Sequence, residues 1–86
     1  MKAKLIAILV KELNKFNVKL EAVSYEEDEN LKSFSLKLVS SKDKKITKLL
    51  KYLTSTYESK FNFSIEEILY NEENKKYFSE LEVKIL

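Results

Sequence analysis

Residues 33–57 read SFSLKLVSSKDKKITKLLKYLTSTY, and the change of period inside this stretch decides the fold. In its first part Phe34, Leu36 and Leu38 alternate with Ser33, Ser35 and Lys37, the period of two that a strand with one buried face requires. From Ile46 the apolar residues Ile46, Leu49, Leu50, Leu53 and Tyr57 recur at helical spacing, so the chain becomes an amphipathic helix running to about Lys60. Between them, Ser40-Ser41-Lys42-Asp43 supplies hydroxyl and carboxylate groups suited to capping the first helical amides. A strand and a helix that each carry one apolar face must bury it in a shared layer.

Working outward, Asn17 to Tyr25 also has period two, with Val18, Leu20 and Ala22 on one side and Lys19 and Glu21 on the other. Glu26 to Asn30 is a polar turn, and Leu31 to Ser40 is the next strand, so the short connection predicts an antiparallel hairpin. Ahead of it, Lys2 to Lys15 reads as a helix. Ile6, Leu9, Leu13 and Phe16 fall at alternating spacings of three and four, a heptad seam that Leu5, Ile8 and Val10 widen. The pattern starts at full strength without a capping residue, which leads us to expect a helix continuing from upstream.

Beyond the second helix no glycine marks the exit, and Asn62 is expected to take the left-handed conformation there. Phe63 to Tyr70 reads as a third strand whose apolar phase slips between Ile65 and Ile68, predicting a bulge near Glu66-Glu67. Asn71 to Lys75 is a turn. Lys76 to Leu86 is a fourth strand with Tyr77, Leu81, Val83 and Ile85 inward. The order αββαββ predicts an α+β, ferredoxin-like two-layer sandwich spanning residues 1–86 as one domain, with a four-stranded antiparallel sheet and two helices on one face. Its expected core includes Leu36, Leu38, Leu49, Leu53, Leu81 and Val83.

Composition restricts the chemistry. The 86 residues contain no Cys, His, Arg, Gly, Pro, Trp or Gln. Zinc, copper, haem and iron–sulfur sites of the usual kinds cannot be built without Cys or His, nor can a nucleophilic Cys or a His-based triad. Glycine-rich phosphate loops are excluded with them. We therefore expect no enzyme, no cofactor and no small-molecule substrate. The 16 basic residues are all lysines, set against 14 acids for a net charge of +2, and they are interleaved with the acids. That argues against direct nucleic-acid binding, which calls for a basic excess on one face. The apolar run Leu5 to Val10 is too short to span a bilayer and lacks a cleavage site, so no signal peptide is read there.

The strand SFSLKLVSS, the helix ITKLLKYLTSTYE and the segment FNFSIEEILYNEENKKYFSELEVKIL, taken in their αββαββ order, resemble one known arrangement. It is the periplasmic ferredoxin-like domain of inner-membrane platform proteins of the PilO and GspM type. These serve type IV pilus assembly, type II secretion and the related competence systems of DNA uptake (transformation). The resemblance covers nearly the whole chain and rests on element order and apolar pattern. Members often carry a glycine before the second helix, where this chain has Ser40-Ser41-Lys42. The resemblance implies a domain excised from a longer chain, with a transmembrane helix and a coiled coil upstream that alone meet the membrane. It implies a protein–protein interaction module at the periplasmic face of the inner membrane, pairing as a homodimer or with a sister platform protein, and no catalytic residue.

Each candidate site has a plainer reading beside it. Glu66, Glu67, Glu80 and Glu82 could pair for acid–base work, but exposed sheet glutamates beside Lys37 or Lys84 are the simpler account. Tyr52, Tyr57, Tyr70 and Tyr77 could line a groove, and are more simply core-covering rims. Lys42, Lys44, Lys45 and Lys48 read as a solvated helix face, and Glu26-Glu27-Asp28-Glu29 as a charged hairpin tip without calcium-loop spacing. The first helix carries more apolar surface than one sheet face needs. Ile6, Leu9, Leu13 and Phe16 are therefore the candidate interface, with a free sheet edge as the second possibility. The alternative function is a cytosolic ligand-binding regulatory domain of ACT-like ferredoxin fold, although the helix after the first strand and the glycine-rich turn it calls for are missing. A designed sandwich would use turn glycines, and there are none.

Overall fold

The computed structural model describes residues 2–24 and 33–86. The Glu26–Asn30 turn with its acidic run, and the ends of the two strands flanking it, lie outside the described residues. The elements are α1 (Lys2–Lys15), β1 (Lys19–Ser24), β2 (Ser33–Ser40), α2 (Asp43–Thr56), β3 (Phe61–Ile65), β4 (Leu69–Asn71) and β5 (Lys76–Ile85). The chain is thus α+β, two helices with an antiparallel sheet of five strands ordered β1-β2-β5-β3, and β4 also paired to β5.

The four expected strands become five because the third is interrupted. Ile65 pairs with Leu81 and Leu69 with Phe78, so Glu66, Glu67 and Ile68 stand opposite only Ser79 and Glu80. The excess residue cannot join the ladder, and the strand breaks where the apolar phase slips. A second irregularity, between Leu20 and Ala22, corrects the reading of β1. The extra residue there turns Ala22 outward opposite Lys37 and brings Val23 inward opposite Leu36. The hairpin of β1 and β2 is antiparallel.

α1 ends in a tight turn. Asn17 has φ of 55°, its N–H donates to the Asn14 carbonyl at 3.2 Å, and the Val18 N–H donates to the Leu13 carbonyl at 3.1 Å. This is a Schellman closure with Asn in the place glycine usually takes, and it brings Val18 onto Leu13, both buried. α2 closes differently. It stops at Thr56, the Tyr57 N–H still donates to the Leu53 carbonyl, and Phe61 already begins β3. Asn62 therefore sits in the ladder opposite Lys84 and is not the left-handed residue expected of it. At the start of α2 the Ser40 hydroxyl accepts from the Lys42 N–H at 3.2 Å and donates to the Lys42 carbonyl at 2.9 Å. It shapes the entry turn, while Asp43 places negative charge in the first helical turn.

Both helices cover one face of the sheet, α1 over β1 and α2 over β2 and β3. Leu9 and Leu13 from α1, and Ile46, Leu49 and Leu53 from α2, close on Phe34, Leu36, Leu38, Phe63, Leu81 and Val83. Leu36, Leu38, Leu49, Leu53, Leu81 and Val83 are all buried, as the strand and helix periods require. The shortest dimension, 21 Å, is that of one helix layer on one sheet. The opposite face of the sheet has no layer over it among the described residues.

Candidate interaction surfaces

The stripe Ile6, Leu9, Leu13 and Phe16 faces inward. Leu9 and Leu13 are enclosed by the chain's own core, while Ile6 and Phe16 are partly buried against it. Spacings of three and four define one side of a helix, and here that side meets a sheet. The exposed part of α1 lies away from this stripe, and its large apolar residue is Ile8, 47% exposed and about 100° round the helix from Leu9.

Where the two helices meet, Glu12 lies buried on the inner side of α1, accepting a hydrogen bond from Lys15 Nζ to Oε1 at 3.0 Å. Tyr52 of α2 packs tilted against Phe16, with ring centroids 5.3 Å apart and planes at 50°, and Lys15 Nζ sits 6.0 Å from the centre of the Tyr52 ring. Burial alone would raise the Glu12 carboxyl. The Tyr52 hydroxyl, the Lys15 hydrogen bond and the Lys15 charge outweigh it and hold the group below its ordinary value of 4.5. In return, hydrogen bonding to Glu12 and its charge raise Lys15 above 10.5. Desolvation raises Tyr57, keeping its hydroxyl neutral. The cluster is a helix–helix joint.

Its linkage to pH has a definite sign. A lowered carboxyl stabilises the fold above its unfolded value and loses that contribution as pH falls through the folded value. A raised lysine or tyrosine stabilises below its unfolded value and loses that contribution as pH rises through the folded value. Stability should therefore be flat from pH 6 to 8, decline in acid below the ordinary Glu12 value of 4.5, and decline in alkali above the ordinary Tyr57 value of 10.0. Melting temperatures across buffers check this. A steep change between pH 6 and 8 would show a strongly shifted group elsewhere.

The four tyrosines do not form one groove. Tyr52 lies with Phe16, Tyr57 contacts Phe61 and Phe63, and Tyr70 packs tilted against Tyr77 with centroids 4.9 Å apart. The carboxylates do come together. Glu66, Glu67, Glu80 and Glu82 line a shallow cleft of about 480 Å³ on the open sheet face, at the break between β3 and β4, with Ser35, Lys37, Leu69 and Phe78. All four are exposed, Glu80 stands opposite Lys37 across the ladder, and the cleft opens to solvent. Across three strands at one end of this face, Val39, Phe78 and Leu69 form an apolar row. Sequence reasoning missed this row, because Leu69 enters it only once the break shifts β4 by a residue. Lys42, Lys44 and Lys48 are exposed on or beside the start of α2, and Lys45 is half-buried. The sheet edges are β1 on one side and β3 with β4 on the other.

Among the described residues no group of three or more Asp or Glu is placed to hold a metal ion, and no helix is long and apolar enough to cross a membrane. No protein-family model matches the chain, and no curated protein matches it. Among solved structures the chain is similar to the crystal structure of the periplasmic domain of XcpY (oP crystal form), with a TM-score of 0.72 at 11% sequence identity over 96% of this chain and 99% of that one. At that identity the likeness is one of fold.

Proposed function

We propose that this chain is a non-catalytic protein–protein interaction module of a type II secretion or type IV pilus-like assembly platform, working on the periplasmic side of the inner membrane. The observation that carries this is the likeness in fold to the periplasmic domain of XcpY over nearly the full length of both chains. In this reading the sandwich is ferredoxin-like. If β3 and β4 count as one interrupted strand, the elements run αββαββ and the sheet order is β1-β2-β5-β3, which supports that assignment. The domain would be carried on a longer chain by an upstream membrane segment and would bind a sister platform protein or a second copy of itself. The fold gives DNA uptake no support over secretion. No cofactor and no small substrate enter the reading; the two clefts beside Leu69 and Phe78 among the described residues are shallow and rimmed by charge.

The test is binding. Titrating the 86-residue chain against the periplasmic domains of the platform proteins of its own source should give saturable association with at least one of them, and deleting its gene should impair secretion or pilus assembly. Absence of binding to every such domain and to itself, together with unimpaired secretion and piliation, would overturn the reading.

A further inference from the structure

Four large apolar side chains are exposed among the described residues: Ile8, Leu69, Tyr70 and Leu86. Tyr70 is engaged with Tyr77, and Leu86 follows β5 directly with its N–H donating to the Lys60 carbonyl at 3.0 Å, away from any charged rim of one sign. The other two are set in rims of opposite charge. Ile8 has Lys4 and Lys11 one turn to either side on the exposed face of α1, and Ala7 beside it. The one carboxylate of α1, Glu12, is buried, with its Oε1 bonded to Lys15. Leu69 lies with Phe78 on the uncovered sheet face, where Glu66, Glu67 and Glu80 surround the cleft. Glu21, Glu72 and Glu73 flank Leu69 and Phe78 as well, so the carboxylates around this patch outnumber its lysines: Lys37, 3.9 Å from Glu21, Lys76, two residues before Phe78 on the same face, and Lys19, opposite Val39.

We propose that the chain assembles head to tail with itself: the Ile8 knob of one copy, with Lys4 and Lys11, seats on the open sheet face of the next, against Leu69 and Phe78 inside the glutamate rim. This rests on the interaction-module reading and names the partner and both surfaces. An apolar centre within a polar rim marks a contact site, and the complementary rims select the mate and set its orientation. The lysines of α2 do not make an equal candidate, since no large apolar residue is exposed among them. The two surfaces lie on opposite sides of the sandwich. The contact is therefore heterologous, each copy leaves one surface of each kind free, and growth does not stop at two.

Sedimentation velocity on the 86-residue chain at rising concentration tests this. At low ionic strength the mass should climb past the dimer, and it should fall back in about 1 M salt, where charges are screened within about 3 Å. Ile8→Asp and Leu69→Asp alter exposed positions, so both variants should keep the parent's circular dichroism. Each alone should weaken association by about 10-fold or more. Mixed in equal amounts they should form a dimer that grows no further, because each supplies the surface the other lacks. A parent that stops at a symmetric dimer, variants that assemble like the parent, or a mixture that stays monomeric would each overturn the proposal. A monomeric parent that still binds a platform domain overturns the self-assembly alone and leaves the platform reading standing.

Discussion

Leu9→Glu should abolish the cooperative fold at 25 °C. Leu9 is 0% exposed, held between the sheet and α2 within the cluster that includes Leu13, Leu36 and Leu49. The substitution forfeits about 2–3 kcal/mol of apolar burial and leaves a carboxylate without a partner, which costs several kcal/mol more. A chain of this length has roughly 4–13 kcal/mol of stability in all, at about 0.05–0.15 kcal/mol per residue. The cost therefore consumes most of it. Protonating a carboxyl buried this way relieves the penalty, so the variant should regain structure as pH falls toward about 4, opposite in sign to the acid loss expected of the parent. The control is the next residue along the helix. Ile8→Glu, at 47% exposed, should melt within about 1 kcal/mol of the parent. Circular dichroism melts and urea titrations of both variants settle it. If Leu9→Glu folds and only fails to associate, α1 faces a partner and not its own sheet.

That contrast marks where the sequence was legible and where it was not. Spacings of three and four identify which side of α1 is apolar, yet the same seam serves a coiled coil and a sheet equally well, so Leu9 and Leu13 could not be assigned from spacing alone. Glu12 could have been noticed. It lies three residues after Leu9 and four before Phe16, flanking the seam, where a carboxylate that becomes buried needs a partner such as Lys15. The strands were legible wherever alternation ran unbroken, as from Phe34 to Leu38 and from Leu81 to Val83. They were misread at Ala22, where one added residue reverses every face after it and no glycine announces it. The break at Glu66–Ile68 was foreshadowed by the phase slip, but a slip does not say whether a strand bends or divides. α2 ends at Thr56, earlier than its apolar spacing through Tyr57 suggests, because Phe61 and Asn62 already pair with β5, and Asn62 takes no left-handed conformation. That conformation is used instead at Asn17 and at Lys75, in the turn before β5. The surface around Leu69 depends on all of these together.

Leu53→Ala should cost about 2–5 kcal/mol, the range for emptying a fully buried leucine site in a packed core. Leu53 is 0% exposed, one turn beyond Leu49 on the side of α2 that lies over β2 and β3. Its surroundings are held from two directions, by the helix and by a ladder with β5 at its centre, so they have little freedom to collapse into the void. For a domain of this size each kcal/mol lowers the melting temperature by roughly 4–8 °C, so a fall of about 8–40 °C is expected. Thr54 is exposed about 100° further round the helix, and Thr54→Ala should change stability by no more than about 0.5 kcal/mol, with alanine's higher helix propensity offsetting the small loss. The pair reads the register of α2 directly. A rotation of the helix by one residue would move Thr54 toward the sheet and Leu53 toward solvent, and the two melting shifts would exchange places.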